Sequence, residues 1–127
     1  HSAEELYATC DVISLHIPAT AETKGSINYA LLSKMPKGGL LVNTARKEVI
    51  NEAELIQFMQ ERQDFRYVTD IMPAADQKMT ELFESRYFAT PKKMGAQTAE
   101  AYINAGIAAA KQIVDFLQNG NTRFQVN

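Results

Sequence analysis

Arg46 is the residue whose type and position point most directly to chemistry. It closes residues 40–46, Leu-Leu-Val-Asn-Thr-Ala-Arg, in which a short apolar run of strand character passes into a polar turn. In an open α/β sheet, ligands bind beyond the carboxyl ends of the strands. The planar guanidinium can hold two oxygens of a carboxylate or phosphate at once. The position predicts an anion-binding arginine, and a surface arginine at a strand end is the alternative.

Composition narrows the setting of that arginine. The 127 residues are 46% hydrophobic, which is enough for the core of one domain. A net charge of −2 and the lack of any block of like charge argue against binding to nucleic acid or to an anionic membrane. No apolar run approaches the roughly 20 residues of a membrane span, and no secretory leader pattern is present. Cys10 is the single cysteine, so we expect a reducing compartment and a cytoplasmic α/β domain.

The elements that must position Arg46 alternate between helix and strand types. Ser2 and Asn51 are candidate N-caps, and Asn51 is followed three residues later by Glu54 in a pattern like a capping box. Residues after Met72-Pro73 are predicted to form a loop. The predicted helices are residues 3–9, 28–34, 51–62 and 97–117, and the predicted strands are residues 11–16, 40–43, 65–69 and 87–90.

This alternation is typical of βαβ units and a parallel sheet. The chain has no Gly-x-Gly-x-x-Gly phosphate loop, although four strand ends would form one side of a ligand cleft. The sequence therefore predicts the second half of a doubly wound, Rossmann-type parallel sheet, followed by a long C-terminal helix.

Several motifs then carry a family resemblance. They are Asp-Val-Ile-Ser-Leu-His-Ile-Pro at 11–18, Thr-Lys at 23–24, Met-Pro-Lys-Gly at 35–38, Val-Asn-Thr-Ala-Arg at 42–46 and Thr-Pro at 90–91. Their order and spacing resemble the D-2-hydroxyacid dehydrogenases. The tail, Lys-Lys-Met-Gly-Ala-Gln-Thr-Ala-Glu at 92–100 through Gln-Val-Asn at 125–127, is similar to the short D-3-phosphoglycerate dehydrogenases that carry lysine where other members have histidine.

The resemblance covers essentially the whole chain and implies its organisation. Residues 1–96 would be the C-terminal half of the NAD-binding domain. Residues 97–127 would be the helix and tail that return to the substrate domain. The glycine fingerprint and the substrate domain would lie upstream of His1, so we expect this chain alone to be inactive.

The resemblance also implies a function. It is the NAD-dependent oxidation of 3-phospho-D-glycerate to 3-phosphohydroxypyruvate, which begins serine synthesis, in an enzyme that acts on a small 2-hydroxy or 2-keto acid. The alternatives are another D-2-hydroxyacid dehydrogenase and a non-catalytic NAD-sensing binding protein of the same fold. The alanine-rich last helix indicates close helix packing, and the resemblance implies that this helix lies near a dimer contact, so we expect a homodimer.

Two residues match the family's catalytic positions. Arg46 would pair with the substrate carboxylate and with the oxygen on the carbon that loses hydride. Lys93 stands where most members have an acid/base histidine, and Ala75 stands where they have the glutamate that tunes it. A lysine beside Arg46 and Lys92, without that glutamate, is favoured in its neutral, basic form. The alternatives are that Lys92 is the acid/base, or that both lysines only attract a phosphate.

The remaining matches concern the cofactor. Asp70 would accept a hydrogen bond from the nicotinamide carboxamide, or else cap a loop. His16 would line the adenosine side through backbone and shape, without acting as a base, and no cluster of metal-ligating residues accompanies it. The full set implied for NAD is His16, Pro18, Thr44, Ala45, Asp70, Gly95 and Ala96.

Overall fold

The computed structural model describes residues 2–93 and 98–126, which belong to two compact units that divide after Lys93. The boundary predicted after residue 96 lies outside the described residues. The elements in chain order are α1 (Ala3–Thr9), β1 (Val12–Leu15), α2 (Tyr29–Leu32), β2 (Leu40–Asn43), α3 (Glu52–Glu61), β3 (Arg66–Thr69), α4 (Asp76–Phe83), β4 (Tyr87–Ala89) and α5 (Ala99–Asn119).

The first unit contains a parallel sheet whose four strands lie in chain order, β1-β2-β3-β4. Leu15, Asn43 and Thr69 stand side by side in one row at the carboxyl ends of the first three strands. The predicted α/β class and parallel sheet are therefore confirmed. Since all four strands point the same way, the segments that follow them meet at one edge of the sheet.

Helices α2, α3 and α4 form the layer that covers one face of this sheet. Parallel strands joined in sequence by right-handed crossovers place their connecting helices on the same face, and α3 contacts both α2 and α4. On the opposite face, Val12 and Phe88 each expose 60% of their surface. A doubly wound sheet carries helices on both faces, and residues 2–93 supply only one of these two layers.

The helix ends follow the predicted capping, with one difference. The Ser2 and Asn51 side chains accept hydrogen bonds from Glu5 N–H and Glu54 N–H, as expected for N-caps. The Glu54 carboxylate does not return to Asn51; it accepts from the backbone N–H of Tyr29, 3.2 Å away. The apolar face of α3 is buried, and its members are Leu55, Ile56, Phe58 and Met59.

Helix α4 was not expected, because Met72-Pro73 predicts the start of a loop here. Its N-cap residue, Ala75, has no side chain that could cap it. The two oxygens of Glu52, at the start of α3, accept from the N–H groups of Ala74 and Ala75 at 3.0 and 3.2 Å. A carboxylate at a helix N-terminus is favourable, but here it comes from another helix. Met79 and Phe83 are the buried residues of α4 and form its inner face.

The second unit consists of α5 and the tail. Thr98 caps the helix through its side chain, and Gly120 ends it in the left-handed conformation with φ 66°. The helix therefore continues two residues beyond the predicted end at Leu117, and its predicted first residue, Gln97, lies outside the described residues. Within residues 98–126, no side chain of α5 is buried. The homodimer stays a prediction.

Candidate active site

The turn that follows β2 is built around the buried side chain of Asn43. Its Oδ1 accepts from Ala45 N–H at 3.0 Å, and its Nδ2 donates to the carbonyl oxygen of Arg46 at 3.0 Å. An asparagine that binds the backbone two residues ahead closes a compact turn. This turn, residues 43–46, is called the β2 elbow below. It presents the Arg46 side chain at the carboxyl edge of the sheet.

The next segment fixes the other side of the β2 elbow. Residues 48–51 pair with residues 25–27 through three backbone hydrogen bonds: Gly25 N–H to the Glu48 carbonyl, Ile27 N–H to the Val49 carbonyl and Asn51 N–H to the Ile27 carbonyl. Val49 is fully buried. Arg46 therefore lies between two anchored segments.

Arg46 and Lys93 share one hydrogen-bond acceptor. The carbonyl oxygen of Ala45 accepts from Arg46 Nη1 at 3.0 Å and from Lys93 Nζ at 3.3 Å. Among the described residues the one ion pair joins Arg62 and Asp64, so neither of these two cations has a carboxylate partner there. Two positive groups that converge on one point without a counter-ion form a receptor for an anion.

Two clefts meet at this pair of cations. The first, of about 440 Å³, is lined by His16, Ile17, Pro18, Ala19, Thr44, Ala45, Arg46 and Lys93. The second, of about 360 Å³, is lined by Arg46, Lys47, Glu48, Asp70, Ile71, Met72, Thr90, Pro91, Lys92 and Lys93. Arg46 and Lys93 belong to both.

Asp70 is the buried charge of the second cleft. It follows β3 directly, exposes 9% of its surface, and neither carboxylate oxygen has a hydrogen-bond partner among the described residues. Its backbone N–H donates to the carbonyl of Asn43 at 3.2 Å, which ties it to the β2 elbow. Buried carboxylates are normally hydrogen-bonded, so this one fits a donor supplied by a ligand.

The structure thus brings most of the residues singled out in the sequence to one edge. His16, Pro18, Thr44 and Ala45 line the first cleft, Asp70 lines the second, and Arg46 and Lys93 line both. The His16 ring also hydrogen-bonds Ser14 Oγ at 2.9 Å. Gly95 and Ala96 lie outside the described residues. Among residues 2–93 and 98–126, no group of three or more His, Cys, Asp or Glu side chains could hold a metal ion. No helix in these two ranges is long and apolar enough to cross a membrane.

Sequence reasoning missed three residues that hold the site together. Asn43 and Thr69 are buried polar residues at strand ends, and Glu52 caps α4 from a distance. For Asn43 and Thr69 a signal existed, because polar residues at the last position of otherwise apolar strands mark the ligand edge of a parallel sheet. Glu52 had no local signal, since the two N–H groups that donate to it lie 22 and 23 residues further along.

Comparison with known proteins gives the family. Residues 1–91 match the family model described as "D-isomer specific 2-hydroxyacid dehydrogenase, NAD binding domain". The chain belongs to this family. The predicted membership of the D-2-hydroxyacid dehydrogenase family, and the predicted NAD-binding domain with a Rossmann-type sheet, are therefore confirmed.

Three relatives describe the similarity further. The NAD⁺-bound crystal structure of 3-phosphoglycerate dehydrogenase from Entamoeba histolytica superposes with a TM-score of 0.86 at 54% identity and covers 99% of this chain and 41% of that one. D-3-phosphoglycerate dehydrogenase of Haemophilus influenzae is 33% identical over 99% of this chain and 32% of its own length. Erythronate-4-phosphate dehydrogenase of a Shewanella species is 38% identical over 74% of this chain and 36% of its own length. The chain thus spans between a third and two fifths of the length of these dehydrogenases.

Proposed function

We propose that the intact protein that carries this chain is an NAD-dependent dehydrogenase that oxidises 3-phospho-D-glycerate to 3-phosphohydroxypyruvate, the entry reaction of serine synthesis. The main support is that Arg46 and Lys93 converge on the Ala45 carbonyl. The buried carboxylate of Asp70, in the same cleft, has no hydrogen-bond partner among the described residues. Removal of hydride from a 2-hydroxy acid needs three groups on this side of the cleft: a guanidinium that orients the acid, a base that takes the hydroxyl proton and an acceptor for the cofactor. Arg46, Lys93 and Asp70 are proposed for these roles in that order.

Arg46 binds the acid and orients it. Its guanidinium can donate to one carboxylate oxygen and to the oxygen on C2, which fixes the face from which the C2 hydrogen leaves. The same charge stabilises the developing carbonyl oxygen. Because the backbone around Arg46 is held on both sides, the fork is in place before the acid binds.

Lys93 moves the proton. During oxidation the C2 hydrogen leaves with its electron pair, and the hydroxyl proton passes to the neutral Nζ of Lys93; during reduction Lys93 returns it. Ala75 stands where a tuning glutamate is usual in this family, and both oxygens of the nearby Glu52 are used by the N–H groups of Ala74 and Ala75. Among the described residues no carboxylate pairs with Lys93 Nζ, which donates instead to the carbonyl oxygen of Ala45.

Asp70 is the proposed contact to the cofactor head group. When bound, NAD⁺ supplies the acceptor for the hydride. The carboxylate of Asp70 can accept from the carboxamide N–H₂, and the small side chain of Ala45 lets the ring approach the β2 elbow closely. His16 and Pro18 would line the path toward the adenosine, and Gly95 and Ala96 are proposed as further backbone contacts.

The substrate class follows from the surplus of positive charge. Lys47 and Lys92 join Arg46 along the second cleft, so positive side chains outnumber the carboxylates of Glu48 and Asp70 there without counting Lys93. This suits an acid that carries a phosphate besides its carboxylate. The relatives agree with this in their names, since both 3-phosphoglycerate and erythronate 4-phosphate are phosphorylated 2-hydroxy acids.

The test is turnover by the intact protein. With NAD⁺ and 3-phospho-D-glycerate we expect NADH absorbance to rise. Glycerate, D-lactate and erythronate 4-phosphate should react at least about tenfold more slowly, because each loses or misplaces one charge contact. A preference for any of these acids would replace the substrate. Absence of turnover with all of them, together with tight NADH binding, would instead favour an NAD-sensing protein.

Assembly and compartment complete the proposal. We propose a homodimer, supported by the exposed apolar residues of α5, among them Ile103, Ile107 and Leu117. A cytoplasmic location is supported by the single cysteine, Cys10. The net charge of −2 supports neither nucleic acid nor membrane as a partner. Light scattering of the intact protein would decide the oligomeric state.

A further inference from the structure

Asn43 is a polar residue at a position that packing alone would give to an apolar one. It is fully buried and stands in the same row as Leu15 and Thr69 on the covered face of the sheet. Burying an amide is costly unless its donor and acceptor are both satisfied. Leu41, two residues earlier on the same strand and face, is equally buried and entirely apolar. The amide at position 43 therefore calls for an explanation beyond packing.

Its hydrogen bonds all lead to the backbone that carries Arg46 or to one neighbouring tyrosine. Oδ1 binds Ala45 N–H, Nδ2 binds the Arg46 carbonyl, and Nδ2 also lies 3.4 Å from Tyr67 Oη. These contacts fix the peptide before Ala45 and the peptide after Arg46, which flank the Ala45–Arg46 peptide. No other side chain described in the structure binds the Ala45 N–H or the Arg46 carbonyl.

The Ala45–Arg46 peptide lies between two peptides that Asn43 holds, through the Ala45 N–H on one side and the Arg46 carbonyl on the other. Its carbonyl oxygen, that of Ala45, accepts from Arg46 Nη1 and Lys93 Nζ. A rotation of this peptide would move the one acceptor on which the two positive groups converge. The buried amide thus acts on Arg46 directly through the backbone and on Lys93 through a single carbonyl.

A second branch from the same residue fixes Asp70. The backbone carbonyl of Asn43 accepts from Thr69 Oγ1 at 2.9 Å and from Asp70 N–H at 3.2 Å. This branch uses only the main chain of Asn43, so it survives substitution of the side chain. The two branches can therefore be separated by experiment.

We infer that the side-chain amide of Asn43 is a positioning group that aligns Arg46 and Lys93 on the 2-hydroxy acid, while the placement of Asp70, and with it the nicotinamide contact, is independent of that amide. This inference rests on the proposed dehydrogenase function. It predicts that loss of the amide damages the chemical step much more than it weakens cofactor binding.

The experiment compares Asn43→Ala, Asn43→Asp and Leu41→Val in the intact protein. Asn43→Ala removes both side-chain bonds. Asn43→Asp keeps the acceptor for Ala45 N–H but turns a second acceptor toward the Arg46 carbonyl. Leu41→Val is the matched control, since it loosens the same face of the same strand without touching the β2 elbow. Thermal unfolding gives the folded fraction of each protein.

We expect both Asn43 variants to lose about 100-fold in kcat/KM for 3-phospho-D-glycerate, the size of effect that a misplacement of about 1 Å produces. NADH affinity, from fluorescence titration, should fall much less, by about threefold, because only the Ala45 contact shifts while Asp70 keeps its backbone bond. With substrate deuterated at C2, the isotope effect on kcat should rise, since the chemical step becomes rate-limiting. Leu41→Val should lower stability and change none of these three quantities.

A purely structural role gives a different pattern. If Asn43 only stabilised the fold, its variants would lose kcat in proportion to the unfolded fraction, with unchanged KM and an unchanged isotope effect, and the inference would be overturned. An equal loss of NADH affinity in the Asn43 variants would overturn it as well. If Asn43→Ala does not fold, Asn43→Asp decides alone. A wild-type protein without turnover would defeat the proposed function itself, which is a distinct result.

Discussion

The β2 elbow and the segment that carries Lys93 hold the two proposed catalytic side chains in very different ways. Arg46 follows a turn fixed by a buried amide on one side and by three backbone pairs on the other. The described hydrogen bonds of residues 90–93 are Thr90 N–H to the Thr69 carbonyl, Thr90 Oγ1 to the Lys92 carbonyl, and Lys93 Nζ to Ala45. Lys93 therefore depends on the β2 elbow for its one recorded side-chain contact.

The difference matches the two tasks. A group that orients a substrate must be rigid before the substrate arrives, because orientation is its whole contribution. A proton carrier must exchange its partners within each catalytic cycle. Four substitutions, taken from the largest expected effect to the smallest, probe the difference between the rigid β2 elbow and the segment that carries Lys93.

Lys93→Met removes the proton carrier and keeps the length of the side chain. We expect kcat of the intact enzyme to fall about 1,000-fold, within the range that general acid–base groups contribute. NADH affinity should be nearly unchanged. Lys92→Met is the matched control and should raise KM for the phosphorylated acid with little change in kcat. A larger kcat loss in Lys92→Met would move the acid/base role to Lys92.

Arg46→Lys keeps the charge and removes the fork. We expect a loss of about 100-fold in kcat/KM, because a single ammonium cannot hold the carboxylate and the C2 oxygen together. Steady-state kinetics with 3-phospho-D-glycerate and with pyruvate-like keto acids in reverse would measure it. Equal activity of the lysine variant would show that a point charge is enough, and would remove the argument for a rigid β2 elbow.

Tyr87→Phe tests what holds the strand that leads to Lys93. Tyr87 Oη donates to Asp76 Oδ1 at 2.6 Å, and burial together with that carboxylate raises the pKa of the tyrosine. Loss of this bond should cost about 1.5 kcal/mol in the free energy of unfolding, as for other hydrogen bonds to charged groups. Tyr102→Phe, at an exposed position of α5, is the control. Similar urea-unfolding midpoints for the two variants would contradict the prediction.

Asp64→Asn acts at the opposite end of β2. The Asp64 carboxylate pairs with Arg62 and accepts from Gly38 N–H, and these donors hold its pKa well below the usual range. A carboxyl with a lowered pKa stabilises the folded state above its unfolded pKa of about 4 and loses that contribution as pH falls. We expect a cost of about 1 kcal/mol at pH 7, kept small by exposure of the pair.

The pH dependence of the unfolding free energy tests whether the Asp64 carboxylate causes this cost. The unfolding free energies of wild type and Asp64→Asn should converge as the pH is lowered from 5 toward 2, roughly across the titration of an unfolded aspartate and below it. Activity at neutral pH should be unchanged, since this turn lies at the end of β2 away from the β2 elbow. A gap that stays constant down to pH 2 would rule out the carboxylate as its cause.

Local patterns in the sequence account for most of the fold. Ser2 and Asn51 cap the helices they were expected to cap, and the apolar spacing of residues 55–59 gives the buried face of α3. Gly120 ends α5, as a glycine after a long helix should. Helix α4 was not predicted because its capping carboxylate, Glu52, lies more than 20 residues away in sequence, outside any local window.

For this protein the sequence alone determined the alternation of strands and helices, the family, and the positions of Arg46, Lys93 and Asp70, because residue type and spacing are local properties. Only the tertiary structure decided that Arg46 and Lys93 converge on the carbonyl of Ala45, and that Asp70 is buried without a partner among the described residues. The tertiary structure also placed the Asn43 amide against the β2 elbow, and its positioning role is inferred from these contacts. Whether a buried amide is paired, and with which backbone group, depends on the register of neighbouring strands and on the turns that follow them.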